Sequence, residues 1–252
     1  MLEKTFVHIP GVGYTTERRL WERGIRSWSD ALAHVGTPGA FSAARWGLVQ
    51  DHCRQSIGSL GAGDHRYFAQ MLAARDHWRA SEHFRSKVGY LDIETDGGFY
   101  ADAITVIGIY DGMRVKSFVR GENLEDFAEE LERYALLVTF NGATFDLPFL
   151  KRAFPRAPWD QLHVDLRYML AKLGYRGGLK QIEREVGLAR EEDIAGLGGE
   201  DAILLWQQHR RGSSEALDLL LRYNAADVEN LERLLDLAYP RLQAHTESCL
   251  DP

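Results

Sequence analysis

The sequence predicts an α/β fold in which helices flank a mixed five-stranded sheet of strand order 3-2-1-4-5, preceded by a small all-α domain. Three observations predict it. Residues 1–85 have a helical pattern with Gly-rich breaks, β-type runs begin at Val88, and strands then alternate with helices. Antiparallel strands followed by strand–helix alternation are typical of a mixed sheet covered by helices on both faces. We therefore place the helical domain at 1–85 and the α/β domain at 86–252.

The helical domain has an apparent core of its own. Four tryptophans, at positions 21, 28, 46 and 78, are spread along it. Large aromatic side chains bury much apolar area, so a few of them suffice for a small core.

The first three strands are predicted to form an antiparallel meander. The runs 88–95, 103–110 and 114–119 are short and rich in β-branched residues. Asp111-Gly112, between the second and third runs, is a pair that favours a tight type I′ turn. We place the first run, which contains Asp92, at the centre of the sheet.

Alternating helices and strands follow. Asn123 is positioned to cap a helix that extends to about Tyr134. The apolar run 136–140 indicates a buried strand parallel to the first, a helix follows from about Phe145, and residues 163–166 form a last short strand.

The C-terminal part is predicted to be helical. Ser213 or Ser214 caps a long final helix. We expect that helix to end near Leu237, because Pro240 lacks the N–H group that would continue it.

Composition favours a cytoplasmic globular protein with no obligate protein partner. Hydrophobic residues make up 45% and charged residues 27% of the chain, which is ordinary for soluble domains. No run approaches the roughly 20 apolar residues that span a bilayer, so we expect no membrane contact. Cys53 and Cys249 lack CxxC spacing, which argues against a disulfide framework or a thiolate metal site.

The net charge of −7 is unevenly distributed. Residues 1–85 carry 11 Lys and Arg against 8 Asp and Glu, a net of +3, whereas residues 86–252 carry 19 against 29, a net of −10. Mild acidity argues against tight, salt-driven coating of nucleic acid. This net charge does not exclude an enzyme that contacts phosphate partly through metal ions.

Two carboxylates interrupt the first strand. Alternation along a strand places Asp92 and Glu94 on one face, with Leu91 and Ile93 on the other. Burying two like charges without a counter-ion costs several kcal/mol or more. A divalent cation resolves that cost most simply.

Two further carboxylates are placed to join this pair. Asp146 follows the fourth strand, where it either caps the next helix, for about 0.3–1 kcal/mol, or faces the acidic pair. Asp227 shares a face of the final helix with Tyr223 and with apolar residues. The alternative for Asp227 is an ion pair with Arg222 or Arg233.

In combination these motifs resemble a known family. The order is Asp-x-Glu on a first strand, Asn-x-x-x-x-Asp at a strand-to-helix turn, and Tyr-x-x-x-Asp on a final helix. The region from about 86 to 238 resembles the DEDDy group of 3′–5′ exonucleases, which share the ribonuclease-H-like fold of polymerase proofreading domains. More narrowly, it is similar to bacterial YprB-type ribonuclease-H-like domains.

The resemblance implies a set of roles. Asp92, Glu94, Asp146 and Asp227 would be catalytic metal ligands, and Tyr223 the aromatic member of the site. Asn141, in the second motif, would contact substrate or brace the site.

The expected cofactor is a pair of Mg²⁺ or Mn²⁺ ions. Such ions prefer carboxylate oxygens, and a pair about 3.5–4 Å apart assists phosphodiester hydrolysis. Asp92 is the expected bridging ligand because the central strand places it deepest. Tyr223 is a poor base at its ordinary pKa near 10, so its expected role is to orient the attacking water.

Substrate contacts are expected from other positions. Thr95 could offer its backbone N–H to a terminal nucleotide. Lys180 follows a Gly-Gly loop and either binds phosphate or is simply solvated. For Asp165 we favour a structural helix cap, and for His163 a buried, hydrogen-bonded side chain.

The segment Ile9-Pro10-Gly11-Val12-Gly13 resembles the hairpin of helix-hairpin-helix modules. That resemblance implies phosphate contacts at Gly11 and Gly13. Too few residues precede the hairpin for a full first helix, so a plain helical packing domain is the competing interpretation.

The sequence thus predicts a metal-dependent 3′–5′ exonuclease that acts on DNA or RNA, with a single-stranded 3′ end as its partner. An endonuclease or RNA-processing enzyme of the same fold would use the same carboxylates. A catalytically silent nucleic-acid-binding protein is the third possibility.

Overall fold

The structure is a computed structural model that describes residues 1–39 and 41–248. Cys249 lies outside the described residues, and Cys53 is a buried free thiol. Among the helices in these two ranges, none is long and apolar enough to cross a membrane.

The five strands form one sheet of order β3-β2-β1-β4-β5, as predicted. Their bounds are β1 Val88–Thr95, β2 Ile104–Tyr110, β3 Val115–Val119, β4 Leu136–Thr139 and β5 Leu162–Asp165. The first three strands pair antiparallel, and β4 and β5 continue the sheet parallel to β1. The carboxyl ends of β1, β4 and β5 therefore meet at one edge.

Helices cover both faces of the sheet and make up the N-terminal segment. The α-helices are α1 Tyr14–Glu22, α2 Trp28–Ala33, α3 Ala43–Gly61, α4 His65–Met71, α5 Phe127–Leu131, α6 Asp146–Ala153, α7 Leu166–Lys172, α8 Leu179–Val186, α9 Glu192–Ala195, α10 Gly199–Arg210 and α11 Ser214–Ser248. Short 3₁₀ helices lie at Leu2–Lys4, Ala74–Ala80, Arg85–Lys87, Ala101–Ala103 and Leu124–Asp126.

The two faces of β1 differ in character. Leu91 and Ile93 pack with apolar side chains of α5 and α6, such as Phe127 and Leu150. The opposite face of β1 packs toward α11. It is apolar at Tyr90 and acidic at Asp92 and Glu94, near the carboxyl end of the strand. The alternation predicted from the sequence is confirmed.

Two predicted helix boundaries are wrong. The Asn123 side chain does not cap a helix; its amide instead accepts from Val119 N–H (2.8 Å) and donates to Ser117 O (3.1 Å) at the end of β3. Ser213 does cap α11, accepting from Ala216 N–H (3.2 Å), but the helix continues past Pro240 to Ser248.

Tertiary packing explains why α11 continues past Pro240. The turns around Pro240 bury Tyr239 and Leu242 against the N-terminal segment. The Trp78 and Tyr239 rings lie 6.0 Å apart, and the Met1 amino group donates to the Tyr239 hydroxyl (3.0 Å). Burying these side chains offsets the roughly 3 kcal/mol that an interior proline costs.

Residues 1–85 share an apolar core with the sheet. All four tryptophans predicted to form the core of this segment are buried. One continuous cluster joins them to side chains of β1, β4 and α11, including Tyr90, Leu136 and Leu234. The boundary between residues 85 and 86 stays a prediction.

Candidate functional site

The acidic pair lies where the central strand meets the final helix. Asp92 and Glu94 point from β1 toward α11, and Asp227 points back from α11. One carboxylate oxygen from each of these three residues lies within 4.8 Å of the others. Glu94 and Asp227 are buried, and Asp92 is partly exposed.

Asp146 reaches the same region from the opposite side of β1. It is the first residue of α6, is 3% exposed, and accepts a hydrogen bond from Ile93 N–H (3.1 Å). Ile93 separates Asp92 from Glu94, so this bond ties α6 to the acidic strand. Phe145, and not Asp146, occupies the N-cap position of α6, so the prediction that Asp146 is the cap residue is wrong.

Burial makes these carboxylates hard to ionise. Desolvation, followed by the charges of its acidic neighbours, raises the pKa of Asp92 well above its usual value. The same causes raise the pKa of Glu94 to about 8. Burial raises the pKa of Asp146 to about 7 and also raises that of Asp227. Burial and mutual repulsion therefore disfavour the fully ionised form of the site.

The donor set fits hard divalent cations. The converging side chains offer carboxylate oxygens, which Mg²⁺ and Mn²⁺ prefer over nitrogen or sulfur. A cation would stabilise the charged forms that burial disfavours.

Arg190 supplies a positive charge to the site. Its guanidinium contacts Asp227 and forms two hydrogen bonds to Glu183, of 2.7 and 2.6 Å. All three side chains are almost fully buried. The alternative pairing of Asp227 with Arg222 or Arg233 is wrong, since those side chains pair elsewhere.

Lys180 points at the site and not into solvent. Its Nζ donates to the Tyr223 hydroxyl (2.7 Å) and lies 4.2 Å from the centre of that ring. Burial and the nearby carboxylates raise the pKa of Tyr223 well above its usual value. The phenol therefore stays protonated and remains a hydrogen-bond donor. A phosphate contact for Lys180 stays a prediction.

Asn224 is a site residue that the sequence analysis missed. Its Nδ2 donates to Asp92 Oδ2 (2.9 Å). Gly108, opposite Asp92 in β2, leaves room for this contact, because a Cβ at that position would lie 1.9 Å from Asn224 Oδ1. The signal existed: Asn224 precedes Asp227 by three residues and so shares its helical face.

The other predicted substrate residues surround the β4–α6 turn or the end of β1. Thr95 is the last residue of β1 and lines the acidic pocket. Asn141 has a positive φ of 66°, and its side-chain oxygen accepts from Arg167 (2.6 Å). Asp165 caps α7 as expected, and His163 is hydrogen-bonded to Thr139 (2.9 Å), with its pKa lowered by burial to about 4.

Gly11 and Gly13 lie apart from the acidic pocket. They line a separate depression with residues 7–10, Gln70 and Met71. Gly11 has a φ of 78°, and Gly13 precedes the first residue of α1. Their phosphate contacts stay a prediction.

Aromatic side chains stand at the mouth of the acidic pocket. Phe99 is 80% exposed and Phe145 37% exposed, and both line the pocket. Both rings lie against Phe149, at centroid distances of 6.3 and 5.0 Å. Exposed aromatic faces beside a charged pocket are suited to stacking on unpaired bases.

The family model of the RNase H superfamily, RNase_H_2, matches residues 89–239. The chain belongs to the RNase H superfamily. The matched region spans β1 to α11 and so contains all four carboxylates of the site. Nucleases of this superfamily use divalent metals, which agrees with the acidic cluster.

This RNase H superfamily member also resembles a solved structure. It is similar to a family B DNA polymerase from the hyperthermophilic archaeon Pyrobaculum calidifontis, at 18% sequence identity and a TM-score of 0.46. The likeness covers 60% of this chain and 25% of the polymerase chain, so the protein spans about a quarter of that relative. None of the curated proteins matches it.

Proposed function

We propose that this protein is a metal-dependent 3′–5′ exonuclease of the DEDDy type. One observation carries the proposal: Asp92, Glu94 and Asp227 bring three carboxylate oxygens within 4.8 Å of one another in a nuclease fold. Carboxylates at that spacing repel one another, and a bound divalent cation would stabilise their charged forms.

Asp92, Glu94, Asp146 and Asp227 would hold two Mg²⁺ or Mn²⁺ ions. When bound, such a pair supplies Lewis-acid activation of water and neutralises the charge that develops on phosphate. The protein itself holds the ligand carboxylates in place through hydrogen bonds. Ile93 N–H orients Asp146, and Asn224 orients Asp92.

Tyr223 and Lys180 would act on the substrate side. The protonated Tyr223 hydroxyl can donate to a water or a phosphate oxygen and so orient it. Lys180, 2.7 Å from that hydroxyl, adds a positive charge beside the scissile phosphate. Such preorganised donors favour the transition state over the ground state.

The mouth of the pocket supports action at an unpaired strand end. Phe99 and Phe145 can stack on bases that are not already paired. The backbone at Thr95, which lines the acidic pocket, would contact the terminal nucleotide, and Asn141, in the turn that leads to Asp146, would contact substrate or brace the site. A duplex interior would not present free base faces to these rings.

End-labelled substrates test the proposal. Single-stranded and duplex DNA and RNA, labelled at the 5′ end, are incubated with the purified protein and Mg²⁺ or Mn²⁺. Stepwise shortening from the 3′ end is the expected result. Internal cuts would instead show an endonuclease, and binding without cleavage with either metal would show a silent binding protein.

A further inference from the structure

A second cavity lies beyond β5, on the far side of the β4–α6 turn from Asp146. It has a volume of about 540 Å³, within the range of small-molecule pockets. The 3₁₀ helix Ala74–Ala80 forms one wall, and β5 with α7 forms the other. Its apolar lining includes Trp78, Ala143, Val164 and Met169.

The rim of this cavity is positively charged. Arg75, Lys172 and Arg176 line it, with Arg75 also 3.8 Å from the buried Asp76 carboxylate, whereas the whole chain has a net charge of −7. Of the described residues that line it, Asp165 alone is acidic, and its oxygens already accept three backbone N–H groups. The cavity therefore favours an anionic occupant.

The walls suit a flat, aromatic occupant. Tyr168 is 53% exposed at the edge, and buried Trp78 lies in the wall. Apolar and aromatic walls beneath a cationic rim complement an unpaired base together with its phosphate. The side chain of Arg176 is exposed and forms no hydrogen bond or ion pair with another described residue, so it is available for such a phosphate.

The cavity and the acidic pocket meet at a shared turn. Asp165, which lines the cavity, accepts from Asn141 N–H (2.8 Å) and Ala143 N–H (3.1 Å) of the turn that leads to Asp146. The carboxyl end of β5 lies two strand spacings, about 10 Å, from that of β1. One strand of nucleic acid could therefore reach both.

We propose that this cavity binds an unpaired nucleotide of the substrate strand, on the 5′ side of the nucleotide held at the acidic pocket. The inference rests on the proposed exonuclease function, in which the rest of the strand extends 5′ from the terminal nucleotide. The cavity would then act as a second anchoring point that favours strands of several nucleotides over dinucleotides.

Binding measurements test this with single substitutions in the full chain. In a Glu94→Gln background, which prevents hydrolysis, Tyr168→Ala should weaken binding of a single strand of about ten nucleotides roughly tenfold, the value of one stacked base. Arg176→Glu should also weaken binding of this strand. It should reduce the slope of log affinity against log salt by about one, the value of one phosphate contact. Neither should change binding of a dinucleotide. Arg211→Glu and Met113→Ala, at exposed positions outside the cavity, are the matched controls.

Photocrosslinking adds a positional readout. Single strands carry one 5-iodopyrimidine at successive positions from the 3′ end, and crosslinked residues are identified by mass spectrometry. We expect crosslinks to Tyr168 or Trp78 from an internal position and not from the terminal one.

The outcomes separate the two proposals. Hydrolysis by the unmodified protein decides the exonuclease function. If that protein cleaves but Tyr168→Ala and Arg176→Glu bind like the controls, or crosslinks avoid the cavity, the second site is wrong. If it binds without cleaving and the two substitutions weaken binding, the cavity stands and the exonuclease proposal fails.

Discussion

Two buried acidic clusters in this protein are built in opposite ways. In the N-terminal segment, Glu17 accepts from Thr5 Oγ1 (2.7 Å), Phe6 N–H (2.6 Å) and Arg79 (3.0 Å). Arg79 also donates to Asp76 (3.2 Å), and all these side chains are buried. At the sheet edge, Glu94 is similarly buried, but the like charges of Asp227 and Asp146 act on it and raise its pKa, although Asn224 and Lys180 act in the opposite direction.

The difference distinguishes a structural carboxylate from a functional one. A buried charge that is fully hydrogen-bonded holds chain segments together. A buried charge surrounded by like charges weakens the fold and persists only where a ligand completes it. The N-terminal acidic side chains are paired within the protein, whereas at the sheet edge Arg190 pairs with Asp227 and the proposed metal ions would compensate the other carboxylates.

The largest effect is expected from Glu94→Gln. Removing one ligand charge should slow cleavage by about 10³-fold or more, because metal-assisted charge stabilisation is worth several kcal/mol. The melting temperature should stay equal or rise, since the substitution removes a charge that burial disfavours. Cleavage rates and thermal unfolding of the same preparation check both. Unchanged cleavage would remove Glu94 from the site.

The Glu-to-Gln substitution in the N-terminal cluster should lower stability and leave cleavage unchanged. Glu17→Gln leaves Arg79 buried without its full partner, which costs about 3 kcal/mol. The free energy of unfolding from urea titration should fall by that amount. The cleavage rate per folded molecule should not change. A large loss of rate without loss of stability would erase the contrast between the clusters.

The clusters also predict a pH dependence. Because the pKa of Glu94 is raised from 4.5 to about 8, the folded protein holds more protons than the unfolded chain between those values. The stability of the metal-free protein should therefore fall as pH rises through that window. Added Mg²⁺ or Mn²⁺ should restore it more at pH 8.5 than at pH 6.

Thermal unfolding with and without chelator measures this dependence. Glu94→Gln is the control and should flatten the curve. A metal-free protein that gains stability between pH 5 and pH 8 would contradict the assigned burial cost.

The smallest effect is expected from Tyr223→Phe. Loss of one hydroxyl that only orients a reactant should reduce kcat roughly fivefold, since a single hydrogen bond contributes about 1 kcal/mol. KM should change little. Tyr239→Phe is the matched control, because it removes a buried tyrosine hydroxyl from the same helix away from the acidic site. Equal rates for both variants would exclude Tyr223 from the chemistry.

Local patterns predicted the strands and the four carboxylates. Alternation along β1 placed Asp92 and Glu94 on one face, and helical spacing placed Tyr223 with Asp227. Each of these depends on residues a few positions apart. The 3-2-1-4-5 order followed from the succession of hairpin and strand–helix units, and the structure confirms it.

Long-range partners could not be predicted in the same way. Arg190 pairs with Asp227 and also with Glu183. Both partners come from a segment about 40 residues before Asp227, and no local sequence pattern predicts them. The continuation of α11 past Pro240 depends on packing against residues 1–85. Both outcomes are set by tertiary contacts, which override local preference.

The passage of α11 beyond Pro240 has a consequence for how the protein is made. Trp78 emerges early in synthesis, whereas its partner Tyr239 emerges about 160 residues later. At a synthesis rate of about 5–20 residues per second, the apolar surface that α11 buries stays exposed for roughly 8–30 s. During that time the apolar surface of the newly made N-terminal segment is exposed to chaperones.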